Sequence, residues 1–174
     1  MEKGGPVDAL YGKAPWHILL KRLLQPPCEL FAVGNPIRGD DSVGLYVIEH
    51  LQHKYGKRPG KRIAIHDPIT APEITPPAPF FKESTIIIID SAELNMEPGK
   101  IALVSVSNTR YGFFSTHNIP LRLIPHLSSE MSRIWILGIQ PEDISIKEEL
   151  SGVVKHSADN IIKVVGTLLR GEKR

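Results

Sequence analysis

Cysteine is almost absent from this sequence: Cys28 is the single one in 174 residues. One thiol can form neither an internal disulfide nor a CxxC zinc or redox pair, which points to a reducing compartment and a core held by burial alone. Without a partner, Cys28 reads as a small buried apolar side chain rather than a nucleophile. Excess charge of one sign is also missing. Lys and Arg number 21 against 19 Asp and Glu, and a formal net charge of +2 gives no footprint for nucleic acid or an anionic membrane. Long hydrophobic runs are lacking near the start of the chain. Trp16 to Leu24 is interrupted by His17, Lys21 and Arg22, is far shorter than the roughly 20 residues of a bilayer span, and has no cleavage-site pattern, so neither leader nor anchor is expected. No GxSxG elbow and no HExxH pair occurs, which argues against a hydrolase serine on such an elbow and against an ordinary zincin.

What is present is an alternation of apolar segments and turns. Positions 16, 19, 20, 23 and 24 have helical spacing, predicting an amphipathic helix within an N-terminal extension over 1–27. A single domain is expected over 28–170, with 171–174 as a solvated tail. Glu29 to Val33 reads as a strand ending at Gly34, followed by a loop and a helix carrying Val43, Val47, Ile48 and Leu51. Lys61 to Ile65 reads as a second strand, and the prolines from Pro72 to Pro79 exclude a long helix after it. Thr85 to Ile89 holds four isoleucines, the pattern of a central parallel strand covered on both faces. Ile101 to Val106 follows through a Glu97-Pro98-Gly99 turn rather than a helix, so this strand is expected either to run antiparallel or to reach its neighbour through an irregular crossover. Asn118 to Leu127 is expected to be helical, Ile134 to Ile139 a strand, and Ile144 to Leu169 to carry the final amphipathic helix. The sum is an α/β fold: three layers, α/β/α, around a mostly parallel twisted sheet of about five strands.

In such sheets ligands bind beyond the carboxyl ends of the strands, so polar residues that follow apolar strands carry the most weight. Three places qualify. Gly34 to Gly44 sets Asp40 and Asp41 side by side at a helix entry, and capping accounts for only one of them. Asp90 comes directly after the four isoleucines, where a buried charge needs a cation, donors or water. His117 lies in Ser115-Thr116-His117-Asn118, beyond an aromatic loop at Tyr111, Phe113 and Phe114. Two carboxylates and one imidazole from three strand ends form a mixed oxygen and nitrogen site for zinc, nickel or a similar divalent ion, with positions left open for substrate. The other histidines, His17, His50, His53, His66, His126 and His156, have no matching acids and are left outside the site, although His66 ends a strand beside Asp67.

Four stretches, GNPIRGDDSVG over 34–44, the apolar strand into Asp90 with its downstream Pro-Gly turn, THNIP over 116–120 and LGIQPE over 137–142, resemble in order and spacing the maturation endopeptidases of nickel-iron hydrogenases, the type serving formate-hydrogenlyase-like enzymes. The resemblance runs over about Glu29 to Leu169. It implies an endopeptidase, a hydrolase that removes a C-terminal peptide from a large-subunit precursor after nickel insertion, with Asp41, Asp90 and His117 as metal-recognising and catalytic residues. Asn35, Asp40, Thr116 and Asn118 would support the site, and Glu73, in a further matching segment Ala71-Pro72-Glu73, would contact substrate. Nickel would arrive with the precursor, zinc or cadmium could occupy the same donors, and the enzyme would be a cytoplasmic monomer needing neither nucleic acid nor membrane. Ser42 replaces a common glycine and Ser91-Ala92 follows Asp90 where the family has another turn; neither removes a ligand.

Two other classes compete. A receiver-like signalling module also uses paired aspartates, but needs a lysine after its last strand, where this chain has Gln140-Pro141-Glu142, and would leave His117 without a role. A non-catalytic chaperone for the same precursor would bind it without cutting.

Overall fold

The computed structural model describes residues 15–25, 27–57, 63–70, 84–105, 114–115 and 134–171. Apolar residues at helical spacing form α1 (Trp16–Leu23), with Lys21 and Arg22 in the last turn, where cations favour the negative end of the helix dipole. Strand β1 (Cys28–Ala32) leads through a loop and a 3₁₀ turn (Gly39–Ser42) into α2 (Val43–Tyr55). Then come β2 (Ile63–Ile65), β3 (Thr85–Glu93), β4 (Ile101–Ser105), a two-residue β5 (Phe114–Ser115), β6 (Ile134–Ile139) and α3 (Gly152–Gly171).

The sheet order is β2-β1-β3-β6-β4, with β5 paired to the end of β3. Strands β2, β1, β3 and β6 are mutually parallel, and β4 runs antiparallel to β6 at the edge. The architecture is the α/β fold expected, as a mixed sheet. From β1 the chain crosses to β2 on one side, then returns past β1 to β3 on the other. The order therefore reverses between β1 and β3, and their carboxyl ends flank the crevice where open α/β sheets bind ligands.

All three described helices pack on one face. Leu20 and Leu24, Val43, Val47, Ile48 and Leu51, and Val154, Ala158, Ile161, Val165 and Leu169 meet Leu30, Ile87, Ile89, Leu103 and Leu137 in one core. So α1 is built into the domain rather than standing outside it. The buried Cys28 joins this core, as its solitary thiol implied. On the other face Phe31, Val33, Ile86, Ile88, Ile134 and Ile136 form a second apolar cluster against which Ile69 packs. The helix expected over 118–127, the residues at 72–79 and Val106 lie outside the described residues.

Two boundaries differ from expectation. The last helix starts at Gly152, not near Ile144, because residues 142–151 are tied to the first loop by hydrogen bonds that a helix could not make. And β3 continues three residues beyond Asp90, because β6 pairs with it through Ser91 and β5 takes over at Ala92 and Glu93.

Candidate functional site at the carboxyl ends of β1 and β3

Asp41 and Asp90 are the two buried acids at the switch point, 1 % and 0 % exposed. Asp90 sits inside β3 rather than after it, one residue beyond the last pair that β3 makes with β1. Its neighbour Ile89 pairs with Ala32, the last residue of β1, while on the other side Asp90 lies opposite Gly138, which has no side chain. The carboxylate thus has no side-chain neighbour in register on β6.

Asp41 is brought to the same edge by a tightly specified loop. Asn35 Oδ1 accepts the Ile37 N–H at 3.2 Å, and the Asn35 N–H donates to the Asp41 carbonyl at 3.1 Å. Gly39 takes φ +51°, and a Cβ there would lie 2.7 Å from the Asp143 carbonyl, so the turn admits only glycine. Gly44 brings the start of α2 down onto the strand ends: a Cβ would come within 2.4 Å of the Ile89 carbonyl oxygen and 2.6 Å of that of Val33. This close approach seats the Asp41 turn beside the strand that bears Asp90.

Asp40 takes a different part from its neighbour. Fully buried, it accepts the N–H groups of Glu142 (2.8 Å) and Asp143 (2.9 Å) on Oδ2 and that of Ser151 (2.7 Å) on Oδ1. It is a positioning residue that clamps the loop after β6, with both oxygens accepting backbone N–H groups. Asp40 spends its side chain on that loop rather than on capping α2, and Ser42 is the residue at the cap position. The LGIQPE stretch meets the first loop through this clamp and meets the end of β3 through Gln140, whose Oε1 accepts the Leu94 N–H at 2.7 Å. Two sequence motifs that lie a hundred residues apart are therefore one hydrogen-bonded unit.

His117, Thr116, Asn118 and Glu73 lie outside the described residues, so the structure brings together Asp41 and Asp90, with Asn35 and Asp40 supporting, and leaves the rest of the expected set aside. Among the described residues no group of three His, Cys, Asp or Glu side chains is arranged to hold a metal ion. His66 does not turn toward the crevice: its ring stacks on Phe31 with centroids 4.3 Å apart, and Nε2 lies 2.9 Å from Oε2 of Glu29. Glu29, 0 % exposed within β1, is the buried acid that an apolar reading of 29–33 misses. Its only sequence signal is an acid at an inward strand position with a histidine following the adjacent strand. Asp67 beside it receives Lys57 Nζ at 3.0 Å and Gln52 at 3.2 Å, and the Lys57 bond, the largest influence, holds its carboxyl below the ordinary range. His50 Nδ1 lies 2.7 Å from the Tyr46 carbonyl, and its ring sits tilted against that of Tyr46 with centroids 3.9 Å apart.

The crevice between β1 and β3 thus carries two buried carboxylates on an α/β sheet. The sequence pattern described as hydrogenase maturation protease matches residues 45–167. A protein of Methanocaldococcus jannaschii assigned as a hydrogenase maturation protease is 31 % identical over 147 residues, covering 80 % of this chain and 85 % of its own. The hydrogenase 3 maturation protease of Escherichia coli is 27 % identical over 135 residues, covering 76 % and 84 %. In three dimensions the chain is similar to a nickel-iron hydrogenase maturation protease of Thermococcus kodakarensis, with a TM-score of 0.59 at 17 % identity over 87 % of this chain and 99 % of that one. This chain belongs to the hydrogenase maturation protease family. Among the described residues no helix is long and apolar enough to cross a membrane.

Proposed function

We propose that the protein is the endopeptidase that removes a C-terminal peptide from the precursor of a nickel-iron hydrogenase large subunit, acting in the cytoplasm as a monomer after nickel has been inserted. The observation that carries this reading is the burial of Asp41 and Asp90 at the switch point between β1 and β3. Carboxylates are rarely kept away from water unless charge or donors meet them, and two at one strand edge offer the hard oxygen donors that a divalent ion takes. His117 would complete the set with one imidazole nitrogen. Nickel is here part of the substrate, and zinc or cadmium would fit the same oxygen and nitrogen donors.

Asp41 and Asp90 would hold the metal-bearing end of the precursor, so that the scissile bond is presented only when assembly is complete. When bound, the metal supplies Lewis acidity toward the scissile carbonyl or acidifies a water. The chain's own part is orientation: the Asp40 clamp and the close seat of Gly44 fix the loop that carries Asp41, and Asn35 closes its turn.

Cleavage of a nickel-loaded precursor by wild type and by folded Asp41→Asn, Asp90→Asn and His117→Ala variants tests the reading. Losses of at least about a hundredfold in each are expected. Equal processing of nickel-free and nickel-loaded precursor would sink the recognition role, and binding without any cleavage by wild type would make the protein a chaperone instead.

A further inference from the structure

Beside the Asp41 loop lies a cleft of about 500 Å³ that the site chemistry does not use. Pro36 and Ser42 from that loop form one wall, and Leu45 and Leu150 add apolar surface. Glu49 from α2 and Glu148 and Glu149 from the loop before α3 line it as well, all three exposed. Among the described residues, Lys155 is the only cation on its walls. The neighbouring cations are engaged elsewhere: Lys147 Nζ lies 2.8 Å from Asp143, and Arg38 Nε donates to the Ile144 carbonyl at 3.3 Å. Asp159, which accepts from Tyr46 Oη at 3.1 Å, adds a fourth carboxylate next to the lining residue Tyr46. Two large apolar side chains stand at the same end of the molecule. Ile37 and Ile146 are 56 % and 84 % exposed, on strips of chain joined by the Lys147 N–H to the Ile37 carbonyl.

We infer that this acidic cleft, with its rim of Ile37 and Ile146, is a docking surface for a basic segment of the large-subunit precursor. The inference rests on the protease reading above and adds to it the chemistry of the substrate's approach. Three features converge on that occupant. The excess of carboxylates favours Lys or Arg side chains, the apolar walls suit their aliphatic stems, and the cleft shares its wall with the loop that bears Asp41, so a chain lying in it leads directly to the site. Exposed charges act here mainly on encounter and affinity, and salt screens them within about 10 Å at 0.1 M.

The test is steady-state cleavage of the nickel-loaded precursor by wild type and by the full-length triple variant Glu49→Lys, Glu148→Lys, Glu149→Lys, with fold checked by circular dichroism. The expected result is a KM at least tenfold higher with kcat within threefold, and a wild-type KM that rises with salt while the variant's does not. A hexa-arginine peptide should inhibit wild type competitively and the variant at least tenfold less well; a hexa-glutamate peptide should not inhibit wild type. An unchanged KM, or a fall in kcat alone, overturns the docking role while leaving the protease reading intact. If wild type fails to cut the precursor at all, the protease reading falls and the docking role with it. The triple variant Glu49→Gln, Glu148→Gln, Glu149→Gln, which avoids introducing repulsion, should lie between the two.

Discussion

The carboxylate of Asp40 lies 2.7 Å from the backbone N–H of Ser151, a residue 111 positions away, and the same side chain holds the N–H groups of Glu142 and Asp143. Charge-assisted bonds of this kind are stronger than neutral ones, and removing the acceptor leaves three donors without it. Asp40→Ala is expected to cost on the order of 3 kcal/mol or more, read as a lowered denaturant midpoint with unchanged slope. Hydrogen exchange should rise first over residues 142–151. Retention of wild-type protection in that loop would show that the clamp does not hold it.

Gly44→Ala should be more damaging than its single methyl suggests. The obstacles are two backbone carbonyl oxygens, at 2.4 and 2.6 Å, which cannot rotate away as a side chain could. Strain of about 2–4 kcal/mol is expected, together with a loss of precursor cleavage larger than that in a control of equal stability, since the shift would part Asp41 from the strand that bears Asp90. Cleavage falling only in proportion to the folded fraction would contradict that geometry.

Because Leu20 is fully buried on α1, which packs on α3 and β4, Leu20→Ala should cost about 2–5 kcal/mol, the range for deleting a large core side chain. Thermal unfolding should remain a single transition at lower temperature. A cost below about 0.5 kcal/mol would mean that α1 is an appendage after all.

The half-exposed pair of Asp143 and Lys147 gives a pH signature without a large energy. The Lys147 ammonium at 2.8 Å, aided by the Ser145 N–H, brings the Asp143 carboxyl down to about 2, and the Lys147 ammonium is raised above 10.5 in turn. A folded-state value below the unfolded 3.8 contributes stability that is present above about pH 4 and lost as pH falls toward 2. The raised lysine acts in the opposite sense, its contribution being lost as pH rises past its folded value. Carboxyl NMR should place the Asp143 midpoint near 2 in wild type and higher in Lys147→Ala, though still below an ordinary value because the Ser145 bonds remain; an ordinary value in wild type would show the pair does not persist.

Much of the fold was written locally. The isoleucine run of β3, the segment Ile134–Ile139 and the stripe of α2 were read at the right places because burial of one face imposes a short period on nearby residues. The site was legible in part, since Asp41 and Asp90 both follow apolar strands. Asp40's commitment to a distant loop, the Glu29–His66 contact and the start of α3 at Gly152 were not, because each depends on partners remote in sequence.

Sequence alone thus determined the class of fold, the identity of the acids at the strand ends and the family likeness, since these reside in periodicity and in short runs of residues. Only the tertiary structure decided that β1 and β3 are neighbours, that the strand order reverses between them, and that Asp40, one of two adjacent aspartates, becomes a clamp on a distant loop. The physical reason is that strand pairing and buried hydrogen bonding are settled between segments far apart in the chain, where the local pattern of side chains carries no record of the partner.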